Sequence, residues 1–299
     1  MIEVMNVCKS FADLMAINDV SLSVNKGSIY GLVGSNGAGK TTLLKLLAGI
    51  YQQDNGSISI HSSPVFENIE IKNQVLFIPD QLYYFSNYTI QDMADFYSQI
   101  YPDWNQERYL KLKEVFNIDV KRRIKTLSKG MQRQVAFWLG FALVPELMIL
   151  DEPLDGLDPV MRQKVKKLIV QDVADRQMTV IVSSHNLREL EDICDYIGIL
   201  HEGKMIIQKE LDDLKADVHK IQVAFAGGVP ESLYDDIHAV YQEKRGSVSI
   251  FIIRGKYKDI ISQMHSYSPA ILDVLPLTLE EIFIYEMGDN GYEIQNIMY

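Results

Sequence analysis

The stretch GSNGAGKTT, residues 34–42, lies between two apolar runs, IYGLV before it and LLKLLAGI after it. It matches the pattern Gly-x-x-x-x-Gly-Lys-Ser/Thr, and its apolar neighbours predict a strand before the loop and a helix after it. The three glycines allow successive backbone N–H groups to face inward, and the start of the helix adds the positive end of its dipole. The stretch therefore predicts a loop that holds a polyphosphate.

Two side chains of this loop have specific expected roles. Lys40 places a cation beside the β and γ phosphates of a nucleotide, and the Thr41 hydroxyl is available to Mg²⁺. The loop alone leaves open whether the protein is a kinase, a GTPase, a helicase-like motor or a transporter ATPase. The candidate nucleotide-binding residues of the loop are Gly34, Ser35, Asn36, Gly37, Ala38, Gly39, Lys40, Thr41 and Thr42.

A second candidate site lies where the apolar run 147–150 ends in Asp151, Glu152 and Pro153. An acid at the end of such a strand is where phosphate-loop hydrolases hold their metal. We expect Asp151 to hold Mg²⁺, directly or through water, and Glu152 to polarise the attacking water as a general base. The alternative is an acidic turn after a core strand, and the phosphate loop favours the catalytic interpretation.

Two further motifs follow the acidic pair. Gly156-Leu157-Asp158 comes soon after it, and the apolar run TVIVSS ends in His185. A lone histidine after a strand is usually a polar terminus. Beside a bound nucleotide, however, a neutral imidazole can accept or donate a hydrogen bond to a γ phosphate and sense its presence.

Composition excludes several classes of protein. The 299 residues carry a formal net charge of −11 and are 47% hydrophobic, which predicts a folded chain without a broad nucleic-acid surface. The longest apolar run, residues 135–144, is shorter than a membrane span, and the first residues resemble neither a signal nor a transit peptide. Cys8 and Cys194 form no disulfide framework or metal-ligand spacing, which favours the cytoplasm.

The chain predicts two domains. Residues 1–215 alternate strand-like and helical patterns, as in an α/β fold, with strands expected at 20–24, 29–33, 75–78, 147–150, 179–182 and 196–200. A purely helical insertion spans about 84–145, and Thr89 with Asp92 resembles a capping box. Residues 216–299 carry six Lys and Arg against twelve Asp and Glu. Strands at IQVAF and VSIFII and helices at 230–241 and 257–267 predict a small α+β domain there.

The stretch LSKGMQRQ, residues 127–134, has two interpretations. Alone, it predicts an ordinary helix start, because Ser128 is a favoured N-cap residue and Gly130 tolerates a turn. Its companions favour another interpretation, since GSNGAGKTT, LSKGMQRQ, LMILDEP, GLD and SSH follow one another in the order of an ABC transporter ATP-binding subunit. The resemblance covers about residues 1–215, and the five motifs together are highly specific.

The resemblance implies a fold and a set of roles. The fold is a P-loop ATPase core with an antiparallel β subdomain and a helical insertion, followed by the small C-terminal domain. Asp158 belongs to a D-loop that crosses a dimer, and His185 is the switch histidine. Residues of the signature loop contact ATP held by a partner subunit; they are Leu127, Ser128, Lys129, Gly130 and Met131. Lys129 and Met131 replace the commoner Gly and Gln of that loop.

Two positions of the resemblance carry alternatives. Phe11 matches the aromatic residue that stacks on adenine, usually a Tyr, although a core residue is the other interpretation. Asp80 aligns with the Gln or Glu of the loop after the strand VLFI and is a candidate nucleotide and metal ligand. The neighbouring Gln81 is an alternative for that role.

The sequence favours an ATP- and Mg²⁺-dependent ATPase that forms a homodimer or heterodimer, binds no nucleic acid and powers a separate membrane permease from the cytoplasmic side. Ser-Lys-Gly-Met and the late LEEIF resemble bacterial ATPases of the bacitracin-exporter and YtrB-like type, which implies export or a cell-envelope system. The alternatives are a non-transport ABC ATPase in regulation, translation or DNA repair, and a regulatory module that holds ATP without turnover. Lys40, Asp151, Glu152 and His185 argue against the second of these.

Overall fold

The protein divides into two units at Gln208 and Lys209, seven residues before the boundary that the sequence predicts. The computed structural model describes residues 1–216 and 218–283, so the end of the expected C-terminal domain lies outside the described residues. No helix in the described ranges has both the length and the apolarity that a membrane span requires.

The elements of the first unit alternate between strands and helices. A short 3₁₀ helix, Ile124–Thr126, precedes the fifth α-helix. In chain order the elements are β1 Ile2–Phe11, β2 Leu14–Val24, β3 Ile29–Val33, α1 Lys40–Leu47, β4 Asn55–Ile60, β5 Ser63–Pro64, α2 Ile69–Gln74, β6 Val75–Ile78, α3 Ile90–Ile100, α4 Gln106–Phe116, α5 Lys129–Ala142, β7 Leu147–Asp151, α6 Pro159–Arg176, β8 Thr179–Ser184, α7 Leu187–Glu191, β9 Tyr196–His201 and β10 Lys204–Glu210.

A six-stranded sheet with the order β10-β9-β3-β8-β7-β6 forms the centre of this unit. The neighbours from β9 to β6 run parallel. Strands β3, β7 and β8 are buried along their whole length, as expected where helices cover both faces of a parallel sheet. Their carboxyl ends meet at one edge, where Val33 lies opposite Ser184 and Asp151 lies opposite Ser183.

A second, antiparallel sheet has the order β2-β1-β4-β5, which confirms the expected β subdomain. Helix α1 lies in the core that this sheet shares with the parallel one. Leu43 and Leu47 of α1 pack in one buried cluster with Ile2 of β1, Ile58 of β4 and Ile149 of β7. Burying a large aliphatic side chain stabilises the fold by about 1.5–3 kcal/mol. This packing anchors the helix that follows the phosphate loop.

The six strands expected from the sequence are present. Residues 20–24 form the end of β2, and the other five form β3 and β6 to β9. Strands β1, β4, β5 and β10 of this unit were not expected. Strand β1 shows why, because register shifts between Val4 and Ser10 break the regular alternation of buried and exposed residues that reveals a strand.

The segment between β6 and β7 contains helices, together with an isolated β-bridge between Thr89 and Arg123. The capping box of α3 is confirmed, since Thr89 Oγ1 accepts from Asp92 N and the Asp92 side chain accepts from Thr89 N. The buried Trp138 of α5 stacks on Tyr109 of α4 with ring centroids 5.0 Å apart and donates to its carbonyl at 2.8 Å. This contact fixes the two helices together.

The second unit begins with the end of β10. Its sheet has the order β12-β13-β11-β14 and is antiparallel throughout. From β11 onward, the succession of strands and helices is that of a split βαβ, or ferredoxin-like, domain. The elements are α8 Leu211–Ala216, β11 Val218–Ala224, α9 Glu231–Asp236, β12 Ala239–Arg245, β13 Val248–Arg254, α10 Tyr257–Ser266 and β14 Ile271–Leu275.

One sequence expectation for this unit is wrong. The helix predicted over 230–241 ends at Asp236, and Ala239 begins the edge strand β12. Gly246, at a φ of 66°, closes a tight hairpin that pairs Arg245 with Val248. The buried β13 provides a pairing partner that outweighs the local helical pattern.

Candidate functional site

The candidate site lies at the edge where β3, β7 and β8 end. Ligands of open α/β sheets bind outside the carboxyl ends of the strands, so the fold alone favours this position. The phosphate loop follows β3, Glu152 follows β7 and His185 follows β8. The parallel register thus brings together three segments that are far apart in the sequence.

The phosphate loop needs glycine at two positions for different reasons. Gly39 is the N-cap of α1 at a φ of 106°, and a Cβ there would lie 2.5 Å from the Ala16 carbonyl oxygen. Gly34 has room for no side chain because its Cβ would lie 2.3 Å from the Leu200 carbonyl oxygen. The loop can therefore adopt this conformation against its neighbouring backbone only with these glycines.

Lys40 lies inside the loop, with 7% of its surface exposed. Its Nζ donates to Gly34 O at 2.6 Å and to Ser35 O at 3.2 Å. The same ammonium lies 3.6 Å from Glu152 Oε1, so one cation links the loop to the end of β7. Partners of this kind are needed because a buried, unpaired charge is costly.

Asp151 is 1% exposed, and two hydroxyl groups compensate its carboxylate. Its Oδ2 accepts from Thr41 Oγ1 and its Oδ1 accepts from Ser183 Oγ, both at 2.7 Å. A carboxylate and a hydroxyl gathered at this distance are the hard oxygen donors that Mg²⁺ prefers, so Thr41 and Asp151 fit the expected metal. Glu152, Asp155 and His185 also place one ligand atom each within 4.8 Å of one another.

Glu152 is held through both its side chain and its backbone. Its Oε2 lies 2.9 Å from His185 Nδ1 and accepts from His185 N at 3.2 Å. Its backbone N donates to Ser183 Oγ at 3.1 Å. A carboxylate paired with an imidazole at the mouth of a phosphate loop is suited to take a proton from water.

Sequence reasoning missed two residues of this network. Ser183 contacts both Asp151 and Glu152, and the only hint in the sequence is the pair of serines that ends TVIVSS. Arg133 is 7% exposed and donates to the carbonyl oxygens of Glu152 and Asp80. It stands inside LSKGMQRQ, but no local pattern distinguishes it from a surface arginine.

The expected Asp80 lies with Arg133 instead of with the Thr41 and Asp151 pair. Its Oδ1 accepts from Arg133 Nη2 at 3.2 Å, and 53% of its side chain is exposed. Phe11 ends β1 with 40% of its surface exposed, which does not fit a core residue. Its ring meets the edge of Tyr51 with centroids 5.3 Å apart.

The signature loop is built as a helix start. Ser128 Oγ accepts from Met131 N at 3.2 Å, which is the N-cap bond of α5. Leu127 is buried, Lys129 is exposed, and a Cβ on Gly130 would lie 2.4 Å from the Gly156 carbonyl oxygen. The loop therefore packs closely against the segment that carries Asp158.

Asp158 is also an N-cap residue. Its Oδ1 accepts from the backbone N of Val160 and of Met161, both at 3.0 Å, and Pro159 begins α6. Among the described residues, no hydrogen bond or ion pair links Phe11, Ser128 or Asp158 to Lys40, Asp151 or Glu152. The structure thus brings together the residues expected around the phosphates, and within the described ranges the expected adenine-stacking, signature-loop and D-loop residues do not bond to them.

Comparison with known proteins identifies what this geometry resembles. The family model described as ABC transporter matches residues 17–155. The chain is 32% identical over 288 residues, 96% of its length, to the ABC transporter ATP-binding protein YtrB of Bacillus subtilis strain 168, and covers 98% of that protein. It is 30% identical over 217 residues to the bacitracin transport ATP-binding protein BcrA of Bacillus licheniformis, covering 72% of this chain and 71% of BcrA.

Solved structures agree on the fold. An ATP-binding subunit of an ABC transporter superposes with a TM-score of 0.67 at 27% identity, covering 72% of this chain and 92% of that one. The dimeric ABC transporter cassette MJ0796 superposes with a TM-score of 0.65 at 20% identity, covering 71% of this chain and 99% of the cassette. The second likeness concerns the fold alone.

Proposed function

Because the chain belongs to the ABC transporter family as an ATP-binding subunit and is an ATPase, we propose that it powers a separate membrane-spanning permease. Such subunits generally dimerise and pair with permeases. The proposed arrangement is a homodimer or heterodimer at the cytoplasmic face of the membrane. Each ATP lies between the phosphate loop of one subunit and the residues Ser128 and Gly130 of the other.

The observation that carries the mechanism is the convergence of Lys40, Thr41, Asp151, Glu152 and His185 at one sheet edge. We propose that the loop amides and Lys40 bind the β and γ phosphates of ATP. Arrival of the phosphates competes for the ammonium of Lys40, which lies 3.6 Å from Glu152 Oε1. The Glu152 carboxylate is then free to act on water.

Glu152 acts as the general base in this mechanism. Its carboxylate takes a proton from the water that attacks the γ phosphorus, the bond to the bridging oxygen breaks, and ADP and phosphate leave. His185 Nδ1 orients the carboxylate, which leaves Nε2 as the nitrogen for a γ-phosphate oxygen. Thr41 and Asp151 would hold Mg²⁺, which supplies charge neutralisation for the phosphates when bound.

The proposed direction of transport is export or a cell-envelope system. The support is the likeness to BcrA, named for bacitracin transport, and to SrtF of Streptococcus pyogenes, named for lantibiotic transport, which is 33% identical over 229 residues. A polytopic membrane protein that co-purifies from detergent-solubilised membranes would support transport. A ribosome or DNA partner recovered in its place would favour the non-transport alternative.

The test of the mechanism is Glu152→Gln. Turnover should fall by about 10²–10⁴-fold, because an amide cannot take the proton, while ATP affinity stays within about 3-fold. ATP should then trap a dimer that size-exclusion chromatography detects. Glu146→Gln is the matched control, since Glu146 also pairs with a histidine, His61, at 3.2 Å, but at the other end of β7. Unchanged hydrolysis by Glu152→Gln would refute the assignment.

A further inference from the structure

Arg133 joins three segments that the proposed mechanism treats separately. It stands in the second turn of α5, three residues after Gly130. Its Nη1 donates to the carbonyl oxygen of Glu152, and its Nη2 donates to the carbonyl oxygen of Asp80 at 2.6 Å. The Asp80 carboxylate adds a contact at 3.2 Å. One side chain thus links the signature helix, the end of β7 and the loop after β6.

The chemistry of this contact favours a specific role over simple packing. A guanidinium this deeply buried is costly, and two of its three acceptors are neutral carbonyl oxygens. An apolar side chain would fill the same space without that cost. The planar fork of arginine reaches the two carbonyls from two separate nitrogens, Nη1 and Nη2, at a fixed spacing, whereas the three donors of a lysine share one nitrogen.

The Glu152 backbone needs such support. Its φ is 45°, a conformation that residues other than glycine seldom adopt and that the surroundings must stabilise. Ser183 Oγ accepts from its N–H, and Arg133 donates to its carbonyl oxygen. The same carbonyl accepts a longer turn hydrogen bond from Asp155 N at 3.4 Å. This backbone conformation directs the carboxylate toward His185.

We propose that Arg133 is a positioning residue that couples the signature helix to the general base. The inference rests on the proposed function and deepens it. When the start of α5 engages ATP on a partner subunit, Arg133 moves with the helix and sets the carbonyl of Glu152 and the loop at Asp80. Hydrolysis therefore requires the signature loop of one subunit to close on the ATP held by the other. Binding of ATP to the phosphate loop does not depend on Arg133.

The test separates kcat from binding in the full-length protein. Arg133→Gln should lower kcat about 10–100-fold and leave the KM and the affinity for ATP within about 3-fold, because it affects only the geometry of the reacting complex. The kcat of Arg133→Lys should fall between those of the wild type and Arg133→Gln, since an ammonium keeps the charge and can donate to a carbonyl but lacks the fixed spacing of Nη1 and Nη2. If Arg133→Gln does not fold, Arg133→Lys still tests the proposal at reduced temperature.

A double-mutant cycle gives the readout that a merely structural role would not produce. Arg133 acts through the Glu152 carboxylate, so Arg133→Gln should change the residual single-turnover rate of Glu152→Gln by less than about 3-fold. Arg176→Gln is the matched control. Arg176 also donates to a backbone carbonyl, Pro145 O at 2.6 Å, and to a carboxylate, that of Asp172, away from the site.

Each result has one meaning. If the wild-type protein does not hydrolyse ATP, the proposed function fails first. If the wild type hydrolyses ATP and Arg133→Gln has the same kcat, the positioning role is wrong. The positioning role is also wrong if Arg133→Gln loses ATP affinity and thermal stability together, which is the result expected of a purely structural arginine such as Arg176. It is wrong as well if Arg133→Gln lowers the rate of the Glu152→Gln variant as much as it lowers that of the wild type.

Discussion

Two glycine-containing segments of the first unit, the loop 34–39 before α1 and the loop 127–130 at the start of α5, both lead into helices but have different partners. Side chains of the first loop and its helix bond with β7 through Lys40 to Glu152 and Thr41 to Asp151. The second loop bonds mostly within its own helix, through Ser128 Oγ and Met131 N. Both loops have glycines pressed against a neighbouring carbonyl, Gly39 against Ala16 and Gly130 against Gly156.

The difference between the loops fits a site that is shared between subunits. A loop that carries a full set of catalytic neighbours can bind ATP alone. A loop that offers a hydroxyl and backbone N–H groups at a helix start, without catalytic neighbours, is suited to a ligand brought by another chain. Substitutions in the first loop should therefore affect binding by the single subunit, and those in the second should affect turnover.

The largest effect on binding is expected for Lys40→Ala. A charge-assisted hydrogen bond contributes about 1.5–3 kcal/mol, so affinity for ATP should fall about 10–100-fold, and turnover should be lost with it. Isothermal titration with ATP measures the affinity. Lys111→Ala is the control, because Lys111 is exposed and pairs with Glu107 on the surface of α4. Undiminished affinity of Lys40→Ala would remove the difference between the two loops.

Gly130→Ala tests the second loop by geometry. The new Cβ would lie 2.4 Å from the Gly156 carbonyl oxygen, so the start of α5 and the segment before Asp158 must separate. A displacement near 1 Å can lower turnover on the order of 10²-fold, and ATP affinity of the subunit should not change. Steady-state ATPase assays and ATP titration measure the two quantities.

The control for Gly130→Ala is a second glycine of the same helix, Gly140. A Cβ on Gly140 would lie 2.6 Å from the Leu76 side chain, which can move. Gly140 lies ten residues along α5 from Gly130. Gly140→Ala should keep turnover within about 3-fold of the wild type, because this buried position lies away from the loop and the Leu76 side chain can move to accommodate the methyl group. Equal losses in both variants would show that helix packing, not the loop, determines the effect.

Local sequence patterns predicted the phosphate loop and its surroundings better than the signature loop and its surroundings. The phosphate loop and the strands β3, β7 and β8 are visible because their glycines, apolar runs and terminal acids are contiguous in the sequence. Arg133 was missed because its partners are 19 and 53 residues away, and Ser183 because its partners lie 31 and 32 residues away. The helix predicted over 230–241 runs into the first residues of strand β12, since the hairpin partner β13 decides the conformation there. Such residues acquire their role only when the sheet forms.

The smallest effect is expected for Ser128→Ala, which separates the two interpretations of LSKGMQRQ. Loss of an N-cap hydroxyl costs about 1 kcal/mol, measured as the free energy of unfolding. Asn105→Ala is the matched control, because Asn105 caps α4 by the same bond, from Arg108 N at 2.8 Å, and has no expected contact with ATP. Both variants should lose a similar free energy of unfolding. At a temperature where both are folded, only Ser128→Ala should lose turnover, by about 3–10-fold, because it removes one neutral hydrogen bond to ATP. Equal turnover in the two variants would make Ser128 an ordinary helix cap, and the resemblance of the second loop to a shared ATP site would then depend on Gly130 and the backbone alone.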